Sequence, residues 1–341
     1  MSVTNVNDMF VANKSSVSVC VQGNITNIKH LTFRNTDPRI RRIDKDHYQI
    51  IRTGEIKDFI HWDNRSKGIG SLRKTFDKLR KLINANVTNP NSCLFITLTY
   101  KQENGEPMTD PDILYEDFHL FMIRLIKYCT AKKRNYGKPK YICVREPQQT
   151  GSWHCHVILI FPTPRAPFIP NDDIAYLWGQ GFTTTKALKS QFGKDIDNVG
   201  AYLTAYLGDI SLEEAVVTPN CNISDFELKE CDVFDEVTQK YVKKKFLKGA
   251  RLHFYPPDFK LYNHSRDLVK PVEYDTSFLE AKKEVNGQTL TFSSHKLVDT
   301  GSYRTVVSNW YFNSKRSGSQ EIIEHNLVDT ETGEILEENW L

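Results

Sequence analysis

Arg145-Glu-Pro-Gln-Gln-Thr-Gly-Ser-Trp-His-Cys-His-Val-Ile-Leu-Ile-Phe161 reads as the end of one strand, a tight turn and a second strand folding back beside it. Pro147 to Ser152 carries turn chemistry. Trp153 to Phe161 is rich in β-formers and stops at Pro162, Pro164 and Pro167. Side chains alternate across a strand, so His154 and His156 share one face, while Cys155, Val157 and Leu159 take the other. A hairpin here also brings Glu146 close to both histidines.

Working outward, Cys93 to Tyr100 alternates as a strand, with Leu94, Ile96 and Leu98 on one face and Thr97 and Thr99 on the other. Asp112 to Cys129 has apolar residues at helical spacing, among them Leu114, Phe118, Phe121, Met122 and Leu125. Lys140 to Arg145 is a short strand. Residues 171–178 form a short helix that Asn171 or Asp172 can cap, and Phe182 to Leu188 leans to strand. Asn198 to Leu207 reads as a helix stopped by Gly208. The order β-α-β-β-α-β, then α, predicts an α+β fold: a ferredoxin-like split βαβ antiparallel sheet with helices on one face. The other face is then open for chemistry.

The 341 residues are enough for one sizeable core with additions, or for two modest domains. The net charge of +3 is unevenly spread. Residues 1–90 hold 16 Lys and Arg against 8 Asp and Glu, a net +8. Residues 91–208 hold 13 against 11, a net +2, and residues 209–341 hold 16 against 23, a net −7. The chain therefore divides into a basic N-terminal region (1–90), a central core (91–208) and a C-terminal extension (209–341). Residues 1–30 look weakly structured. A helix over Ser71 to Ile83 has one apolar stripe (Leu72, Phe76, Leu79, Ile83) and is otherwise basic, which suits a polyanionic partner or a solvated face. Residues 240–251 form a second basic run, with aromatics, that reads as a phosphate-holding segment or a solvated helix face. The seven cysteines are odd in number and lack C-x-x-C spacing, so reduced, buried thiols are expected. The longest apolar run, Val157 to Phe161, is too short to cross a bilayer, and no secretory signal opens the chain. A cytoplasmic protein with no membrane partner is expected.

Three features carry chemistry. Two imidazoles on one strand face can chelate a divalent metal, although His-x-His alone equally fits polar residues on an exposed strand. Glu146 supplies a carboxylate; two histidines and a carboxylate suit Mg²⁺ or Mn²⁺ with positions left for phosphate oxygens. The alternatives are a surface Glu146 paired with Arg145 or a lysine, and Gln148 as the third ligand. Finally, Tyr202 and Tyr206 stand one helical turn apart on one face. A tyrosine hydroxyl can act as a nucleophile with a metal's help, but such a pair, read alone, equally fits core packing.

Together and in this order, the features resemble the three motifs of the HUH endonucleases, the superfamily of rolling-circle Rep proteins, relaxases and related transposases. Phe95 to Tyr100 resembles the first motif, Arg145 to Val157 the second, and Tyr202 with Tyr206 the two-tyrosine third motif of initiators from single-stranded-DNA phages and some plasmids. Trp178-Gly-Gln-Gly181 and the basic region from Asn64 to Asn86 are similar to the phage and Gram-positive plasmid type. Ala205 stands where the phage-type pattern has a lysine, which leaves that phosphate contact unassigned.

The resemblance implies a metal-dependent, site-specific endonuclease that acts on single-stranded or hairpin origin DNA. In it, Glu146, His154 and His156 hold Mg²⁺ or Mn²⁺ at the scissile phosphate. Tyr202 attacks and becomes linked to the 5′ end, and Tyr206 makes the closing cleavage that lets the strand circularise. The chain has no G-x-x-x-x-G-K-[ST], so a host helicase as well as a DNA polymerase is implied. The rival readings are a relaxase or transposase with the same chemistry, a non-catalytic origin-binding protein, and a structural metal site. The second motif lacks the third histidine of many relaxases.

Overall fold

The computed structural model describes residues 2–5, 10–34, 39–61, 69–102, 104–148, 150–188, 199–200, 207–217, 222–235, 240–299, 304–315, 327–328 and 335–336. The chain forms two compact units. One spans Trp62–Val269, and the other joins Met1–His61 to Lys270–Leu341.

The central unit is built on strands β1 (Cys93–Tyr100), β2 (Lys140–Pro147), β3 (Trp153–Ile160) and β4 (Gly181–Ala187). Its helices are α1 (Ile69–Asn86), α2 (Pro111–Thr130) and α3 (Asn171–Trp178). The sheet order is β4-β1-β3-β2, all antiparallel, with a short fifth strand, β5 (Tyr262–His264), added beside β2. This is the predicted split βαβ arrangement: β3 lies between β1 and β2, the two strands that α2 connects.

The alternation read from the sequence decides the two faces. Leu94, Ile96, Leu98, Cys155, Val157 and Leu159 are buried against Leu114, Phe118, Phe121 and Leu125 of α2 and Ile174 and Trp178 of α3. Asp110 caps α2 by accepting from the backbone N–H groups of Asp112 and Ile113. Asn171 does not cap α3; it is the first helical residue, and its side chain bonds Thr183 on β4 instead.

The second sheet face is only partly open. At one end, Cys93, Phe95, Ile142 and Ile158 pack beneath Leu79, Leu82 and Ile83 of α1, joined by Val199 and Leu207. At the other end the residues turn polar, and there the face carries Thr97, Thr99, His154, His156 and Glu146. Val199, Gly200, Leu207 and Gly208 are helical, in accord with the helix read over Asn198 to Leu207.

After residue 209 the unit continues as a three-stranded antiparallel sheet of Ile210–Ser211, Lys240–Leu247 and Leu228–Asp235. The basic run at 240 is thus a strand rather than a helix, because Tyr241, Val242 and Phe246 are β-formers with a ready partner strand.

In the second unit, Ser16–Gln22 and Ile25–Leu31 pair with each other and, at their outer edges, with Val272–Ser277 and Arg304–Asn313. The weak structure expected for residues 1–30 is therefore corrected. Val17, Val19 and Ile28 are buried with Phe278, Trp310 and Phe312, partners lying more than two hundred residues later in the chain. No helix among the described residues is long and apolar enough to cross a membrane.

Candidate metal and nucleic-acid site

The antiparallel register sets Glu146 of β2 directly opposite His154 of β3, and Thr99 of β1 opposite His154 on the other side. The next row along the same face holds Val144, His156 and Thr97. β3 is fixed at its start by Trp153, a buried indole that donates to the Thr109 carbonyl at 2.9 Å and stacks on Phe259. The turn before it closes through Gln148 N–H to Ser152 O at 2.8 Å, with Gly151 at φ 83°. That left-handed backbone favours glycine. Gln148 lies in this turn, past the end of β2.

Glu146 is buried and doubly engaged. One oxygen, Oε2, lies 2.9 Å from His156 Nε2, and the other, Oε1, lies 2.9 Å from Arg251. Arg145 is not its partner. That side chain points to the opposite face, where its guanidinium lies over the Tyr115 ring and donates to the Lys260 carbonyl. Burial pushes the Glu146 carboxyl up, but the Arg251 charge and the His156 hydrogen bond outweigh it and bring it down to about 2.

His156 is held from three sides. Nε2 faces Glu146, Nδ1 lies 3.3 Å from the Thr97 hydroxyl, and the ring stacks on Phe95. His154 is different: its Nε2 is buried and has no hydrogen-bond partner. Burial, helped by the neighbouring His156 and opposed by Glu146, pushes its pKa down to about 4. It is thus a neutral imidazole whose ring lies 6.2 Å from that of His156.

A neutral, buried, unpartnered imidazole is a costly side chain unless something binds it. The 2.9 Å between His156 Nε2 and Glu146 Oε2 is close to the spacing of two adjacent ligands about 2.1 Å from an octahedral ion. The donor types and their placement on one face thus fit a divalent ion. Among the described residues, no three His, Cys, Asp or Glu side chains converge on one point. The described geometry is a contacting His156–Glu146 pair with His154 beside it.

Sequence reading missed the carboxylates and cations behind Glu146. Arg251, only 4% exposed, also donates to Glu214 Oε2 at 2.7 Å and to the Pro147 and Asp209 carbonyls. The only signal was its place at the end of the basic run of residues 240–251. Tyr202 and Tyr206 lie outside the described residues, although Val199 and Leu207 on either side of them pack on the face that carries the histidines.

Residues 93–210 match a family model of replication-associated proteins, the ORF2 family. This stretch is similar to replication-associated proteins. The similarity supports a role in DNA replication and spans the sheet that carries Glu146, His154 and His156. No curated protein and no solved structure matches the chain. Five cysteines, Cys20, Cys93, Cys129, Cys143 and Cys155, are free and buried, in keeping with reduced thiols.

Proposed function

We propose that this chain is an HUH-type, two-tyrosine rolling-circle replication initiator, a metal-dependent endonuclease that nicks one strand of origin DNA. The observation that carries the reading is the juxtaposition of Glu146, His154 and His156 on one sheet face, inside the stretch similar to replication-associated proteins.

Glu146, His154 and His156 are the residues that would hold Mg²⁺ or Mn²⁺. Such an ion draws charge off a phosphate and makes its phosphorus easier to attack. The neutral state of His154 keeps a lone pair available, and the ionised Glu146 supplies negative charge. Tyr202 is the first nucleophile: its hydroxyl oxygen bonds to phosphorus, the P–O3′ bond breaks, and the 3′ oxygen leaves as a free hydroxyl that primes a polymerase. The 5′ phosphate stays on the tyrosine. Tyr206 repeats the attack on the regenerated junction, and a free 3′-OH then displaces a phosphotyrosine to close the circle. The bond energy is kept in the phosphotyrosine, so joining needs no nucleotide. Single-stranded or hairpin origin DNA is the substrate, with a host helicase and polymerase as partners.

The test is incubation with single-stranded origin DNA and Mn²⁺, followed by a denaturing gel. A covalent protein–DNA band that EDTA removes is the expected result. Metal-independent binding with no adduct would leave the non-catalytic origin-binding reading in its place.

A further inference from the structure

The guanidinium of Arg251 sits behind Glu146 with four oxygen partners. Nη1 is shared by Glu146 Oε1 at 2.9 Å and Pro147 O at 3.0 Å, Nη2 goes to Glu214 Oε2 at 2.7 Å, and Nε to Asp209 O at 3.3 Å. Asp209 is itself pinned, since its carboxylate accepts from Gly249 N–H at 2.8 Å and Lys229 Nζ at 2.9 Å. A carboxylate has two oxygens to present. With Oε1 taken from behind, Oε2 is the one left facing His156.

We propose that Arg251 is a positioning residue that holds Glu146 so that Oε2 alone is presented beside His156 to the divalent ion. The inference rests on the proposed nicking function. It also gives residues after 210, outside the stretch similar to replication-associated proteins, a part in the site: Glu214 and Arg251 reach it from the segment following the sheet. The residue type fits the task. A guanidinium offers five donors in a rigid plane and can serve four oxygens at once, whereas a lysine is a point charge on a flexible stem. Outer partners of ligating groups typically tune metal affinity by about ten- to a hundredfold.

The experiment uses the full chain and two variants, Arg251→Lys and Glu214→Gln. The second leaves the Arg251–Glu146 contact and removes only the far anchor. Mn²⁺ affinity is measured by electron paramagnetic resonance, and the Mn²⁺ dependence of nicking is measured alongside it. Arg251→Lys should weaken Mn²⁺ binding at least about tenfold and raise the half-saturating Mn²⁺ for nicking in parallel, with the rate at saturation much less affected. Glu214→Gln should shift both in the same direction by less. If the Lys variant does not fold, Glu214→Gln decides alone. Unchanged Mn²⁺ affinity and half-saturation in the folded variants would overturn the role of Arg251 while leaving the nicking function standing. A wild-type chain that neither binds Mn²⁺ nor forms an adduct would overturn the function itself, and this role with it.

Discussion

Glu146 and His154 face each other across β2 and β3, yet neither oxygen of Glu146 is bonded to His154. The carboxylate is shared between His156 and Arg251, and the buried Nε2 of His154 is left without a partner. Replacing His154 and His156 together by alanine should abolish nicking. Origin affinity should persist, because phosphate contacts from Lys and Arg dominate nucleic-acid binding. Adduct formation and a binding isotherm on the same preparation check this; undiminished adduct in the double variant would remove the metal site.

The depressed pKa of His154 sets a pH dependence of stability. In EDTA, its unfolded value is near 6.5 and its folded value about 4. Between these pH values the unfolded chain binds more protons, so stability falls as pH drops from 6.5 towards 4. At about 1.4 kcal/mol per pH unit the full loss from this group is at most ~3 kcal/mol. His154→Gln should flatten that window. Glu146, brought down to about 2, acts lower: its contribution is present above about 4.5 and is lost as pH falls towards 2. Urea midpoints at pH 7, 5.5 and 4.5 separate the two; an unaltered slope in His154→Gln would refute the assignment.

The two glycines of Trp178-Gly-Gln-Gly181 should differ sharply in tolerance. Gly179, at φ 72°, ends α3, and a Cβ there would meet nothing closer than 3.9 Å. Gly179→Ala should cost about 1 kcal/mol from backbone strain alone. Gly181, at φ 156°, begins β4 against β1, and a Cβ would lie 2.3 Å from Lys101 N and 2.5 Å from Thr99 O. Those are backbone atoms that cannot swing away. Gly181→Ala should therefore cost more, roughly 3 kcal/mol with strain and clash together. It should also disturb the row that runs through Thr99 to His154. Thermal melts of the two variants give the comparison; equal losses would contradict it.

The core was legible because its signals are local. Alternation in Cys93 to Tyr100 and Trp153 to Ile160, the α2 stripe, and the turn at Gly151 each lie within a few residues. The same alternation exists in Val17, Val19 and Val21, but polar neighbours dilute it and the pairing strands come from Val272–Ser277 and Arg304–Asn313. The site divides in the same way. Glu146, His154 and His156 meet through one hairpin, whereas Arg251 reaches Pro147 across 104 residues of chain. No spacing rule connects residues so far apart.

The basic character of residues 1–90 has a structural location that allows a clean test. α1 buries Leu72, Leu79 and Ile83, and Lys74 and Lys78 stand exposed one turn apart. Deleting the region would also remove the strands Ser16–Gln22 and Ile25–Leu31 from their sheet, so charge reversal is more informative. Lys74→Glu with Lys78→Glu should leave the melting temperature within a few degrees, lower origin affinity, and reduce the salt slope by roughly one to two. An unchanged slope would make this face merely solvated.

Tyr202 and Tyr206 are separated by four residues, the spacing that puts two side chains on one helix face, and are flanked by the helical Val199 and Leu207. Only one can be linked to DNA at a time, which leaves the other hydroxyl for the closing cleavage. Tyr202→Phe and Tyr206→Phe should each retain some single nicking if the pair is interchangeable, and each should lose strand circularisation. The double substitution should leave no covalent adduct, with stability close to that of wild type because Phe keeps the ring. Peptide mapping of the trapped adduct names the linked residue. An adduct persisting in the double variant, on Tyr176 or Tyr241 for example, would refute the pair. If one tyrosine alone forms adducts and the other is dispensable for circularisation, the chemistry is that of a one-tyrosine nickase, and the relaxase-like reading takes precedence.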